Sequence, residues 1–140
     1  MRIMGLDVGS KTIGVAVSDP LGWTAQGVTT IHRKNKVEDI KALKQLVVRY
    51  GVEEVVVGLP RNMNGTFGPG AAEARAFAAT LEAELGLPVH LYDERLSTIA
   101  ADKILLDADL SRRRRRAVVD RVAASIILQG YLDRRGQNGV

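Results

Sequence analysis

Apolar residues dominate two runs of strand length, Arg2 to Val8 and Thr12 to Ser18, joined at Gly9 and Ser10. Such runs around a glycine turn predict a hairpin of two buried strands. Asp19, Pro20 and Gly22 mark a second turn. From Gly27 to His32, the residues Val28, Thr30 and His32 alternate with Thr29 and Ile31, which predicts a third, more exposed strand at a sheet edge. The period then changes. Val37, Ile40, Leu43, Val47 and Tyr50 recur at helical spacing, with Lys41, Lys44 and Arg49 between them and Gly51 at the C′ position. A short β-branched run, Val55 to Val57, predicts a fourth strand and leads through Gly58, Leu59 and Pro60 into a loop rich in Asn and Gly. Ala74, Phe77, Ala78, Leu81 and Leu85 predict a second amphipathic helix closed by Gly86, and Val89 to Tyr92 a last strand. A short helix from Ser97 or Thr98 to about Leu106, and a longer one through Ala117 to Leu132, complete the pattern.

The order β-β-β-α-β-α-β-α-α sets the fold class. Tight turns join antiparallel neighbours and helical crossovers join parallel ones, so the sheet is mixed. Both kinds of connection build on the first strand, which is therefore central. The expectation is an α/β fold with a five-stranded sheet in the order 3-2-1-4-5, strands 1–3 antiparallel, flanked by helices. A chain of 140 residues, 46% hydrophobic, buries one core and is short for two ordinary domains, so a single domain over residues 1–140 is expected.

Cysteine is absent, which leaves no disulfide framework and no thiolate metal site. No secretory leader and no apolar run of bilayer-spanning length is visible, so a soluble, cytoplasmic protein with no membrane partner is expected. The net charge of +4 says less than its distribution. From Ser111 to Arg135 eight arginines face only Asp120 and Asp133.

Three acids are placed where they could do chemistry. Asp7 stands near the end of the central strand, with Gly5 and Gly9 as same-face neighbours, where a ligand or a phosphate backbone could approach. The plainer alternative is a cap on the turn at Gly9. Glu94 follows the last strand, and the C-terminal ends of the parallel strands share the edge where open α/β sheets put their ligands. With the fourth strand between them, Asp7 and Glu94 are about two strand spacings, roughly 10 Å, apart, a gap that inclined carboxylates and a metal can bridge. Gly58, ending that fourth strand, keeps the gap clear. An exposed Glu94–Arg95 ion pair is the alternative. On a wheel of the last helix, Val119, Val122, Ala123, Ile126 and Gly130 form the expected buried stripe, and Asp120 falls at its margin. A favourable charge near a helix N-terminus is the alternative there.

The arginines resist a purely structural reading. Arg112, Arg113, Arg114, Arg115 and Arg116 crowd the first turns of a helix, where the macrodipole opposes cations and like charges repel. A polyanion offsets both effects, and arginine meets phosphate in bidentate fashion, so these side chains are expected to bind nucleic acid. Lys11, in the first turn, and Arg95 are further candidates. His32 and His90 lack metal-ligand spacing and read as structural. Trp23, in the turn after the second strand, fits an aromatic covering a core edge better than a base-stacking platform.

Four segments, GLDVGSKTIGVAVSD (Gly5 to Asp19), VVVGLPRNMNG (Val55 to Gly65), YDERLST (Tyr92 to Thr98) and VVDRVAASIILQGYL (Val118 to Leu132), resemble the YqgF/RuvX family, and the likeness spans almost the whole chain. The resemblance implies an RNase H-like fold related to the junction resolvase RuvC. It also implies a nuclease that matures the 5′ end of the small-subunit ribosomal RNA precursor or, as an alternative, resolves Holliday junctions. The family's acidic triad carries over onto Asp7, Glu94 and Asp120. Oxygen-only ligation favours Mg²⁺ or Mn²⁺ as the cofactor. The implied partner is nucleic acid, as precursor rRNA or branched DNA, and a homodimer is a candidate assembly because symmetric junction cleavage needs two sites. Two other classes compete. LDVGSKTIG also resembles the first phosphate loop of actin-like and sugar-kinase ATPases, but those close two such domains around a nucleotide; a GxxxxGK phosphate loop is excluded by spacing. The non-enzyme alternative is an RNA-binding ribosome-assembly factor with vestigial carboxylates.

Overall fold

The computed structural model describes the backbone of residues 1–59, 69–93 and 112–138, and the side chains of residues 1–59, 70–93 and 121–135. In chain order the elements are β1 (Arg2–Val8), β2 (Thr12–Ser18), β3 (Ala25–His32), α1 (Lys36–Tyr50), β4 (Val52–Leu59), α2 (Pro69–Leu85), β5 (Val89–Asp93) and α3 (Arg112–Asn138). The sheet runs β3-β2-β1-β4-β5, as the connection argument requires. β1 and β3 pair antiparallel with β2, while β4 pairs parallel with β1 and β5. β1, β3, β4 and β5 therefore all end at one edge of the sheet.

Two helical layers cover the sheet. Met4, Leu6, Ile13, Val15 and Val57 face Leu43 of α1 and Phe77 and Leu81 of α2. On the other face Ile3, Ala16, Val56 and Tyr92 meet Ala123, Ala124, Ile127, Leu128 and Leu132 of α3. β1 and β4 bury side chains on both faces, which is why their sequences read as continuous apolar runs rather than alternations. Asn35 caps α1 by accepting from the Glu38 amide at 2.9 Å, and Gly51 closes it in the left-handed region at φ 64°.

α3 lies against the sheet at very short range. A Cβ on Gly5 would sit 2.7 Å from Leu128 Cβ and 3.1 Å from the Ala124 carbonyl, and one on Gly27 would sit 3.1 Å from the Arg121 carbonyl. Gly5 therefore makes room for a helix, not for a ligand as its position beside Asp7 suggested. The buried stripe of α3 is also displaced from the expected one: Ala123, Ala124, Ile127, Leu128 and Leu132 are buried, whereas Val122, Ile126 and Gly130 are only half-buried. Close approach selects small side chains, and a wheel weighted toward Val and Ile misplaces the centre by about one residue.

Polar contacts fix α3 along the sheet. Gln129 accepts from the Ala25 amide at 2.9 Å and donates to the Trp23 carbonyl at 3.0 Å. Further on, the buried Glu54 carboxylate of β4 accepts from Tyr131 Oη at 2.6 Å and from Arg135 at 2.9 Å, and lies 2.7 Å from His90 Nε2. β4 is longer than the Val55–Val57 run because Glu54, polar in sequence, is buried with these partners. Burial, then the bond to Glu54, pushes the Tyr131 phenol up to about 12. His90 is structural, as expected. Trp23 does not cover a core edge: it is 70% exposed, in a turn held by the Asp19 carboxylate, which accepts from the Leu21, Trp23 and Thr24 amides. The expected loop after Pro60 and the short helix near Ser97–Leu106 lie outside the described residues.

Candidate active site

Asp7 is the penultimate residue of β1, half-buried, and shares the α3 face of the strand with Ile3 and Gly5. Its cross-strand partner on β2 is Gly14. On the other side Leu6 pairs with Val57, so the next residue of β4, Gly58, flanks Asp7. Gly58 is buried opposite Tyr92, and its φ is not positive. The carboxylate therefore stands between two lateral neighbours that have no side chain. Gly58 was anticipated from the sequence; Gly14 was missed, although the register of the tight hairpin places it.

The contacts of α3 fix its direction and level over the sheet. Tyr131 meets Glu54, the residue paired with Ile3, while Ala124 and Leu128 lie over Gly5. α3 thus runs antiparallel to β1. Moving from Gly5 to Asp7 advances about 6.6 Å along the strand. Stepping back one turn from Ala124 to position 120 covers about 6 Å of helix. The backbone of position 120 is thus level with Asp7 along the strand. Arg112 to Arg116 occupy the turns before it, with no acidic residue in the first turn. The side chains of Asp120 and of these arginines lie outside the described residues, as do Glu94 and Arg95 entirely. Asp93, next to Glu94, ends β5 opposite Leu59, at the same sheet edge. Among the described residues no three His, Asp or Glu side chains are grouped to hold a metal ion, and Glu94 and the Asp120 side chain lie outside that set.

The turn after Asp7 is strapped down from the opposite face. Gly9 N–H donates to the Thr12 carbonyl at 2.8 Å. Arg33, just beyond β3, donates from its guanidinium to the Gly9 carbonyl at 2.8 Å and from its backbone to the Lys11 carbonyl at 2.9 Å. The same guanidinium donates to buried Asp39 at 3.1 Å and lies 5.3 Å over the Phe77 ring. Lys11 itself is exposed on this turn. No spacing rule points to Arg33, because its partners come from three separate segments, the β1–β2 turn, α1 and α2. His32, at the end of β3, is exposed.

The RuvX family, described as Holliday junction resolvases, matches residues 1–134. A protein of Moorella thermoacetica, provisionally named a pre-16S rRNA nuclease, is 74% identical over 140 residues, the whole of both chains. A protein of Clostridium beijerinckii with the same name is 58% identical over 133 residues, 95% of this chain and 96% of that one. Among solved structures, Thermus thermophilus RuvC in complex with a Holliday junction substrate superposes with a TM-score of 0.60 at 17% identity, covering 97% of this chain and 96% of that one. The fowlpox virus Holliday junction resolvase superposes at 0.56 and 15% identity, covering 96% and 99%. These structures share the RNase H-like fold. No helix among the described residues is long and apolar enough to cross a membrane. With its sheet order, its long α3 across β1 and a sequence match over nearly its full length, this chain belongs to the RuvX family of nucleases.

Proposed function

We propose that this protein is a metal-dependent endonuclease of structured nucleic acid, acting in the cytoplasm on the 5′ end of the 16S rRNA precursor. The observation that carries the reading is the half-buried Asp7 between Gly14 and Gly58 at the edge where β1, β4 and β5 end, with position 120 of α3 level with it. A carboxylate flanked by glycines has no side chain beside it on either neighbouring strand. The donor set Asp7, Glu94 and Asp120 offers only oxygen, which suits Mg²⁺ or Mn²⁺. When bound, the metal supplies Lewis-acid polarisation of the scissile phosphate and activation of the attacking water.

The chain's own groups do the rest. Asp7, on a central strand buried on both faces, is a rigid ligand. Gly14 and Gly58, both buried, place no side chain beside it. The arginines from Arg112 to Arg116, with Lys11 and Arg95, hold the backbone by charge and set its register without reading sequence. The names of the relatives support rRNA as the substrate. A second reading, resolution of Holliday junctions, is favoured by the family description, and it requires a homodimer. Incubating the protein with Mg²⁺ or Mn²⁺, a 5′-extended 16S precursor fragment and a four-way DNA junction separates the two. Cleavage of the RNA alone supports the first; symmetric cuts in the junction support the second. An RNA-binding assembly factor would bind the RNA and leave it intact.

A further inference from the structure

A cleft of about 450 Å³ opens at the same sheet edge as Asp7 but on the opposite face, lined among others by Ser10, Arg33, Lys34, Lys36, Glu73 and Phe77. Its floor is the strapped β1–β2 turn, and its walls are the segment leaving β3, the start of α1 and the first half of α2. Asn35 between the two lysines is extended, at φ −151° and ψ 168°. In an extended backbone the residues on either side point the same way, and both lysines line the cleft.

The charges there are unequally satisfied. The buried Asp39 carboxylate is taken up by the Arg33 guanidinium at 3.1 Å and the Lys34 amide at 3.0 Å, so it does not neutralise the lysine ammonium groups. Lys34 and Lys36 are exposed and make no ion pair among the described residues. Glu73, on the α2 wall, is the one carboxylate of the lining that lacks such a partner among them. Phe77 and the Arg33 guanidinium over its ring also line the cleft. Two like charges held two residues apart on one wall raise the local potential, and a polyanion lying along that wall relieves it.

We infer that this cleft is a second binding site for the sugar–phosphate backbone, in which Lys34 and Lys36, with the Ser10 hydroxyl, receive phosphates on the face away from α3. The inference rests on the nucleic-acid reading above and extends it. A substrate held by the α3 arginines on one face and by these lysines on the other crosses the sheet edge over Asp7. That geometry suits a nucleic acid that presents backbone in two directions, such as a duplex bearing a single-stranded extension.

Binding in Ca²⁺ or EDTA, where cleavage is not required, tests this apart from catalysis. The probe is a fluorescein-labelled RNA duplex with a 5′ extension, titrated by anisotropy over a series of KCl concentrations. Lys34→Gln/Lys36→Gln should reduce the slope of log K against log salt by about 1.4–1.8, as expected for two lost phosphate contacts, and weaken binding roughly tenfold at physiological salt. A control removing two charges from the far part of α1, Lys44→Gln/Arg49→Gln, should leave the slope within a few tenths. Thermal melts check that both variants fold; both sites are exposed side chains. An unchanged slope in the lysine variant, or an equal fall in the control, overturns the inference. A wild type that binds through the lysines but never cleaves would instead overturn the nuclease reading.

Discussion

Gly5→Ala probes the contact that sets α3 over Asp7. The added Cβ would lie 2.7 Å from Leu128 Cβ and 3.1 Å from the Ala124 carbonyl. Both atoms are fixed to the helix backbone, so no flexible side-chain end can swing away. Restoring an ordinary carbon–carbon separation of about 3.5–4.0 Å requires α3 to retreat by about 1 Å. Overpacking of this kind costs about 1–3 kcal/mol. For a domain of this size that corresponds to a fall in Tm of roughly 3–9 °C. The same displacement moves position 120 relative to Asp7, and a catalytic site loses on the order of 100-fold in rate for a 1 Å misplacement. Calorimetry and a cleavage assay on one preparation give both numbers. A variant that melts within 1 °C of wild type and cleaves normally would refute the close approach of α3 to β1 and the level of position 120 that follows from it.

Further substitutions test other parts of the account. Gly58→Ala keeps an ordinary backbone, because φ is not positive there, so the fold should survive while added bulk beside Asp7 lowers kcat at least tenfold; melting and cleavage measure it. Arg33→Lys removes the fork that serves Gly9 and Asp39 together and should raise the Mg²⁺ concentration for half-maximal cleavage several-fold, read from a metal titration. Tyr131→Phe should cost about 1 kcal/mol at pH 7 in urea unfolding, since Glu54 keeps Arg135 and His90. The Tyr131 phenol is raised in the folded state, so its contribution is complete below pH 10 and is lost as pH rises toward 12. The gap between wild type and the Phe variant should accordingly close over that range.

What the sequence reveals and what it hides follow from different physics. Strand order was legible because tight turns and helical crossovers leave one arrangement once β1 is central. The candidate acid on β1 was legible because a carboxylate at the end of an otherwise apolar strand violates the pattern. Distances between faces were not. Gly5 reads as a vacancy until the helix that fills it is seen, and the α3 stripe reads too far toward Val122 and Ile126 because close packing favours Ala123 and Ala124. Glu54 interrupts the β4 pattern since its partners, His90, Tyr131 and Arg135, are far away in sequence. Arg33 leaves no signature for the same reason.

The most direct measurement is metal-dependent cleavage of the 5′-extended 16S precursor fragment by wild type and Asp7→Asn, with folding and RNA affinity measured alongside. Asparagine keeps the shape and removes the charge that would hold the cation. The account predicts cleavage that requires Mg²⁺ or Mn²⁺ and disappears with EDTA, and a variant that melts and binds RNA like wild type but cleaves at least 100-fold more slowly. A fully active, folded Asp7→Asn protein would contradict the assignment of the metal site to the end of β1.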